Sequence, residues 1–555
     1  MKLTRRDMLL WSAGAAAGFA VTPIPWKLLD DVSIWTQNWP WIPQPARGPI
    51  DVQPSFCTLC PQGCGLRVRM AQGWPVGIAG MAKHPISHGA LCPLAFGAHQ
   101  LLWHPQRLRT VRHRGDTSSW EEAGTAFRKA CAEGSVLIVD GRPGRAASSL
   151  FQTFAQKHGG SYTTIPSPET KALAPYASWT SVPASAMGYD LENAQTVVSF
   201  GVPMLDGWGT PGRFTHLWAE RAAVSQDPQL RLIQIESSFS RTAARAWKWV
   251  PVQEGREAAL AAALARVLIE EHLVAARGPM PQITLEEAAG QTGLSAAEIQ
   301  NLARTMVAQS PAVVIASNDD PAIAALNVVL GAVGARGGIV QRAKPEKLQS
   351  AAHAESRKVR AVLIDATVPW DYSPNVDAEV FRFATWDAGS SSAEWLLPAP
   401  GFLEELTDIP TAPASALETY AVAPALVKAP EAARSAAAFL AGMDADLLAV
   451  DKLIHARCEL LFRERAGTLV GAQTTPVAKF GSVQKLEEEL HKGAVWAGDP
   501  SPTAGLRCSL KEWPTGSGSA PESWPAAWAA PVLPPLASKL YEESGLREAR
   551  DRRMA

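Results

Sequence analysis

The amino-acid sequence predicts an α/β protein of several domains, with parallel sheets covered by helices and a small cysteine-bearing domain ahead of them. Short runs rich in Val, Ile and Leu alternate with helical segments through much of the chain, as strands buried on both faces do. Four of the seven cysteines fall between residues 57 and 92. At 555 residues the chain is long enough for about three or four domains.

The first element is a targeting segment, residues 1–30. Lys2, Arg5 and Arg6 precede an apolar run from Met8 to Val21 that ends at Thr22-Pro23. That run is shorter than the roughly 20 residues a membrane span needs, so it reads as an export signal. Arg5-Arg6 within Thr4-Arg5-Arg6-Asp7-Met8-Leu9 gives it twin-arginine character. The A-x-A cleavage pattern is missing, which leaves a retained anchor as the alternative. Either form predicts a protein on the periplasmic side of the cytoplasmic (inner) membrane. Residues 31–50 follow, rich in Trp and Pro (Trp35, Trp39, Trp41, Pro40, Pro43, Pro45). Such a segment suits a membrane interface or a partner's groove, or drapes as a linker.

Residues 51–110 form the cysteine domain. Cys57, Cys60 and Cys64 stand in C-x2-C-x3-C spacing, and Cys92 follows in Leu91-Cys92-Pro93. Three thiolates so close in sequence can each ligate a different iron of one [4Fe–4S] cluster, with a distant fourth closing it. Gly63 and Gly65 beside Cys64 allow the tight backbone this needs. Zinc and disulfides are the competing readings, but zinc usually draws two separated pairs and x2 spacing seldom gives a relaxed bridge. Pro61 stands where a c-type haem motif needs His. Cys131, Cys458 and Cys508 have no companions at ligand spacing and read as buried small hydrophobes. Leu66 to Met70, the turn Ala71-Gln72-Gly73 and Trp74 to Ile78 read as a hairpin.

A first α/β region covers residues 111–345 and a second 346–500. Strands are expected at Ser135–Val139, Gln195–Phe200, Leu230–Ile235, Ala312–Ala316 and Val359–Ile364, and helices at Ala147–His158 and Glu257–His272. Residues 501–555 lose the pattern to Pro, Gly, Ser and Ala and read as an irregular tail. The formal charge of −1 leaves no electrostatic footprint for nucleic acid. No G-x-S-x-G, Walker or H-E-x-x-H motif occurs, and no side chain earns a catalytic role. His84, His88, His99 and His104 lie near the cysteines and read as structural.

The cysteine spacing at the start of a long α/β chain resembles the molybdopterin oxidoreductase family. So do His84 to Cys92, Leu102 to Leu108, Asp190 to Ala194, Arg241 to Ala246 with Trp249, Leu330 to Gly338, and Glu394 to Pro398 with Phe402 to Glu404. The resemblance covers most of residues 50–440. It implies a multi-domain α/β fold with an N-terminal [4Fe–4S] domain and Rossmann-like parallel sheets. Working members bind molybdenum or tungsten through two pterin dinucleotides and one protein ligand.

The sequence departs from the family where those groups sit. Leu94-Ala95 replace a basic residue after the fourth cysteine. No Cys lies between Phe154 and Asp190; Ser161, Ser167, Ser178 and Ser181 are available without a recognisable setting. Gly201-Val202-Pro203 and Glu254-Gly255-Arg256-Glu257 replace two family loops. The C-terminal barrel domain is expected to be missing, Lys539 to Arg547 resembling its lead-in. These departures resemble the molybdenum-free subgroup found in quinone reductase complexes and alternative complex III, as does the leader Asp31 to Pro43. That subgroup implies an electron-transfer and scaffold subunit of a menaquinone reductase or alternative complex III type assembly, with molybdopterin absent. The implied partners are a ferredoxin-like multi-cluster iron–sulfur subunit, a multihaem cytochrome c and a polytopic quinone-binding membrane subunit. A molybdenum-dependent polysulfide or thiosulfate-type reductase, and a structural subunit without redox function, are the alternatives.

Overall fold

The computed structural model describes residues 4–21, 50–164, 167–205, 208, 211–222, 228–275, 278–342, 358–365, 378–386, 393–499 and 506–514. The expected Trp/Pro-rich segment, the leader Asp31 to Pro43 and the tail beyond residue 514 lie outside them. The chain divides into two compact units, Met1–Asp51 with Met70–Val76, and Val52–Arg69 with Gly77–Ala555.

In the first unit the described part of the segment expected to direct export is a helix, Arg5–Val21, none of whose residues is buried. Thr4 and Asp7 cap it reciprocally: Thr4 donates N–H (3.0 Å) and Oγ1–H (2.6 Å) to the Asp7 carboxylate, and Asp7 N–H returns a bond to Thr4 Oγ1. Met8, Leu9, Trp11 and Phe19 stand exposed on it. Among the described residues no helix is long and apolar enough to cross a membrane.

Among the described residues, the second unit is built on three larger sheets. A seven-stranded sheet runs in the order Asp116–Ser118, Val111–His113, Trp395–Pro398, Glu379–Ala384, Val359–Asp365, Ser135–Asp140, Ser161–Thr164. Its last five strands are parallel and the first two add an antiparallel edge. Residues 361–365 of the strand Val359–Asp365 are all buried, and helices Trp120–Glu133, Ala146–Lys157 and Ala436–Met443 cover the face of the sheet that carries Ala361, Leu363 and Phe381. Beneath it Phe127 meets Phe381 edge-on at 5.1 Å and Phe439 at 5.4 Å; such aromatic pairs add about 1 kcal/mol each beyond area burial. This sheet takes strands from both sides of residue 345, so the two α/β stretches read from the sequence share one sheet.

A second sheet is inserted between those strands. Lys248–Pro251, Arg231–Glu236, Thr196–Phe200 and Ala312–Ala316 pair in that order, all parallel. Helices Glu257–Glu270, Ala296–Val307 and Pro321–Val329 bury one face through Leu260, Leu264, Ile299 and Leu326. The last of these helices carries a buried polar residue: Asn327 exchanges two bonds of 2.8 Å with the Val314 backbone and donates to Tyr176 Oη at 2.8 Å. Two segments of the family resemblance meet here. Asp190 accepts from Gly337 N–H at 2.9 Å, and Asn193 Oδ1 accepts from Arg336 at 2.7 Å.

The third sheet departs from the expected α/β alternation. Thr407–Ile409, Thr419–Ala423, Val495–Ala497, Thr468–Val470 and Thr474–Pro476 form a five-stranded sheet whose pairings are all antiparallel. Its strands are three to five residues long, too short for periodicity to declare them. This sheet supports the cysteine domain: Phe56 packs with Ala421, Ala423 and Val495.

Candidate metal centre

The cysteine loop is pinned at both ends. Strand Ile50–Phe56 leads in, strand Gly65–Ala71 leads out, and Cys57 N–H donates to the Cys64 carbonyl at 2.8 Å. Between them Gly63 turns with φ +62°, and a Cβ there would lie 2.1 Å from Ile409 Cγ2. Gly65 is equally constrained, since its Cβ would lie 2.8 Å from the His84 ring. The two glycines expected to permit wrapping are therefore required by close approach as well.

His84 organises the segment that delivers the fourth cysteine. It is 3% exposed, and its Nδ1 accepts from the N–H groups of Ile86 (3.3 Å) and Ser87 (3.1 Å). Burial, reinforced by the charge of His88, holds its ring far below the ordinary range, at about 3, so it is a neutral acceptor at physiological pH. The turn it fixes runs to Cys92, which stands at the N-cap position of the short helix Pro93–Gly97. The expected structural role of His84 is thus a specific one.

All seven cysteines are free thiols. Those of Cys57, Cys60, Cys64 and Cys92 are brought within electrostatic reach of one another. Burial raises the Cys57 thiol well above its usual range, and the charges of Cys64 and Cys92 raise it further. Cys60 is raised by burial and then by Cys57 and Cys64, and Cys64 is pushed up to about 12 by burial and Cys92. Buried thiols that repel one another as thiolates gain most from a shared cation that takes up their charge. Among the described residues no three His, Cys, Asp or Glu are grouped so as to hold a single metal ion. Backbone N–H groups already point at the sulphurs, from Leu59 to Cys57, Gln62 to Cys60, and Gly212 to Cys64. The Gly212 contact arrives from a distant helix, Pro211–Leu217, and nothing in the sequence announces it. The residues present fit a [4Fe–4S] cluster.

Of the remaining cysteines, Cys458 is fully buried as expected, whereas Cys131 and Cys508 are half-buried. Leu94, half-buried, and Ala95, 1% exposed, put an apolar turn directly after Cys92.

A cleft of about 410 Å³ opens beside the loop, lined by Thr58, Cys60 and Gly63 and by Arg142, Arg145 and Arg457 among others. Two of these arginines serve internal carboxylates. Arg145 pairs with Asp365 at 2.6 Å and Asp140 at 3.2 Å. Arg457 pairs with Asp408 at 2.5 Å and donates to the Gly144 carbonyl at 2.6 Å. Asp140 and Asp365 end two adjacent parallel strands, the edge where ligands of open α/β sheets gather. Of the serines noted from the sequence, Ser167 Oγ caps a helix by accepting from Thr170 N–H and Ser178 donates to the Pro175 carbonyl, while Ser161 opens the strand Ser161–Thr164 and Ser181 ends a helix at φ +61°.

Comparison with known proteins accords with this geometry. Residues 50–102 match the molybdopterin oxidoreductase Fe4S4 domain, a span that contains all four cysteines. The chain is 32% identical over 365 residues to the menaquinone reductase, molybdopterin-binding-like subunit of Nitratidesulfovibrio vulgaris (strain Hildenborough), covering 61% of this chain and 52% of that one. It is 21% identical over 394 residues to the thiosulfate reductase molybdopterin-containing subunit PhsA of Salmonella typhimurium, covering 63% and 50%. It thus spans about half the length of these relatives. Acetylene hydratase from Pelobacter acetylenicus shares the fold with a TM-score of 0.61 at 15% identity, over 80% of this chain and 74% of that one. The chain carries a molybdopterin oxidoreductase Fe4S4 domain at residues 50–102 and resembles that family, in particular the menaquinone reductase molybdopterin-binding-like subunit.

Proposed function

We propose that this chain is an iron–sulfur electron-transfer and scaffold subunit of a membrane-bound quinone oxidoreductase complex, of menaquinone reductase or alternative complex III type. The observation that carries the reading is the gathering of four thiols, none in a disulfide, that would repel one another as thiolates, with backbone N–H groups facing three of them. Cys57, Cys60, Cys64 and Cys92 hold one [4Fe–4S] cluster, which when bound takes up and releases one electron at a time. The chain's part is to fix the sulphurs, bury them, and aim the N–H groups of Leu59, Gln62 and Gly212 at them. Those bonds favour the more negative, reduced state.

Molybdopterin is absent on this reading. Three observations support that: Leu94-Ala95 stand where the family carries a basic residue, Ser167 and Ser178 are bonded to local backbone, and Arg145 and Arg457 are neutralised from within. The cleft beside Cys60 is the observation that favours the alternative, a molybdenum-dependent reductase. The proposed partners are a ferredoxin-like multi-cluster subunit, a multihaem cytochrome c and a polytopic quinone-binding subunit. The proposed place is the periplasmic face of the cytoplasmic membrane, reached by the twin-arginine route.

Affinity purification of the tagged chain from solubilised membranes tests the assignment. Co-purification with haem-bearing, multi-cluster and polytopic polypeptides is expected. A monomer active by itself on an oxyanion substrate would overturn it.

A further inference from the structure

A small, partly enclosed chamber lies against the cysteine loop. Its volume is about 20 Å³, enough for one ordered water. Thr58 and Leu59, between Cys57 and Cys60, form part of its wall, and Arg142 and Glu405 form another part. Three buried atoms of its lining, Ser55 Oγ, Arg142 Nε and Trp386 Nε1, have no partner among the described residues. The residues that carry them are 1%, 8% and 4% exposed. Buried polar atoms are nearly always bonded, and a water needs two to four polar partners; this chamber supplies them.

Arg142 and Glu405 also line a second cavity of about 10 Å³, together with Arg145, Asp365 and Ser435. Arg142 in turn lines the 410 Å³ cleft. The two small cavities therefore share Arg142 and Glu405 as walls, and the cleft shares Arg142 with both. The charged groups facing Glu405 are Arg142 and Arg145 from the loop after Ser135–Asp140, and Asp365 from the end of Val359–Asp365. The Ser435 hydroxyl also reaches it, while its neighbour Glu404 is locked to Arg107. Burial, with Asp365 acting the same way, holds the Glu405 carboxyl above its ordinary range against the pull of both arginines.

We propose that Glu405 is a redox-linked proton site: one electron entering the centre held by Cys57, Cys60, Cys64 and Cys92 is matched by one proton binding to the Glu405 carboxylate through the water of the chamber. The inference rests on the reading of those cysteines as ligands of a redox-active cluster. The balance is closed. The oxidised centre, one electron from the respiratory donor, the carboxylate and one proton give the reduced centre and the carboxylic acid, and reoxidation releases both charges. The physical cause is the added negative charge, which raises the proton affinity of a carboxylate behind a low-dielectric wall.

The test is an EPR-monitored redox titration of the cluster-loaded, full-length protein across the neutral pH range, in wild type and in Glu405→Gln. The wild-type midpoint potential is expected to fall as pH rises, by up to about 59 mV per tenfold change in proton concentration, and that of Glu405→Gln to stay level. A level wild-type potential, or equal slopes in both proteins, overturns the proposal and leaves the electron-transfer reading standing. A cluster that is never reduced overturns both. Should Glu405→Gln lose its iron, reduced-minus-oxidised infrared spectra of the wild type decide. A protonated-carboxyl band gained on reduction supports the proposal, and no such gain overturns it.

Discussion

The cysteine loop and the arginine-bearing cleft beside it share a wall at Thr58, Cys60 and Gly63, yet they treat their polar groups in opposite ways. On the loop, buried thiols are left without bonds to one another, and backbone donors point at them. In the cleft, the guanidinium groups of Arg145 and Arg457 are consumed by Asp140, Asp365 and Asp408. A binding site leaves polar groups for its ligand; a structural network spends them on one another. The difference teaches that the loop gathers sulphurs without spending them on one another, while Arg145 and Arg457 in the adjoining cleft are held by internal carboxylates.

The sharpest way to break that contrast is at the loop. Cys60→Ser is expected to abolish the cluster's EPR signal and lower the melting temperature, because centre assembly and folding are coupled. An unchanged spectrum and stability would remove Cys60 from the ligand set. On the other side, Arg145→Ala strands two buried carboxylates, at a cost of about 3–5 kcal/mol in unfolding free energy. A loss below about 1 kcal/mol, measured by chemical denaturation, would mean that the cleft is not self-supporting.

Acid separates the regions more gently. His84 is neutral when folded, with its ring held at about 3, and titrates near 6.5 when unfolded. Between those values the unfolded chain binds a proton that the folded chain does not. Stability present above about pH 6.5 is therefore lost as pH falls toward 3, to a total on the order of 5 kcal/mol. His84→Gln is expected to flatten that share of the pH dependence; identical profiles would refute the assignment. The smallest effect is expected at Cys131→Ser. This thiol is half-buried, away from the loop and raised to about 11 by burial alone, so iron content should be unchanged and stability altered by only about 0.5 kcal/mol.

Local pattern made much of this legible in the sequence. The strand Ala312–Ala316 stands where the apolar run placed it, and Ser135–Asp140, Thr196–Phe200 and Val359–Asp365 lie within a residue of expectation. The hairpin Gly65–Ala71 with Trp74–Gly80 and the cysteine spacing were equally readable. Pairing at a distance was not. The sheet that joins Ser135–Asp140 to Val359–Asp365 spans an inserted domain, and no periodicity encodes such a crossover. The antiparallel strands from Thr407 to Ala497 are too short to alternate visibly. Gly212, which donates to Cys64, and Glu405, which shares a chamber with Thr58, come from distant segments, so only folding reveals them.

Counting iron and molybdenum per chain in the purified protein, with EPR of the reduced sample, tests the central claim most directly. The account predicts about four irons, a cluster signal and no molybdenum. Molybdenum at one per chain, or a chain without iron, would contradict it.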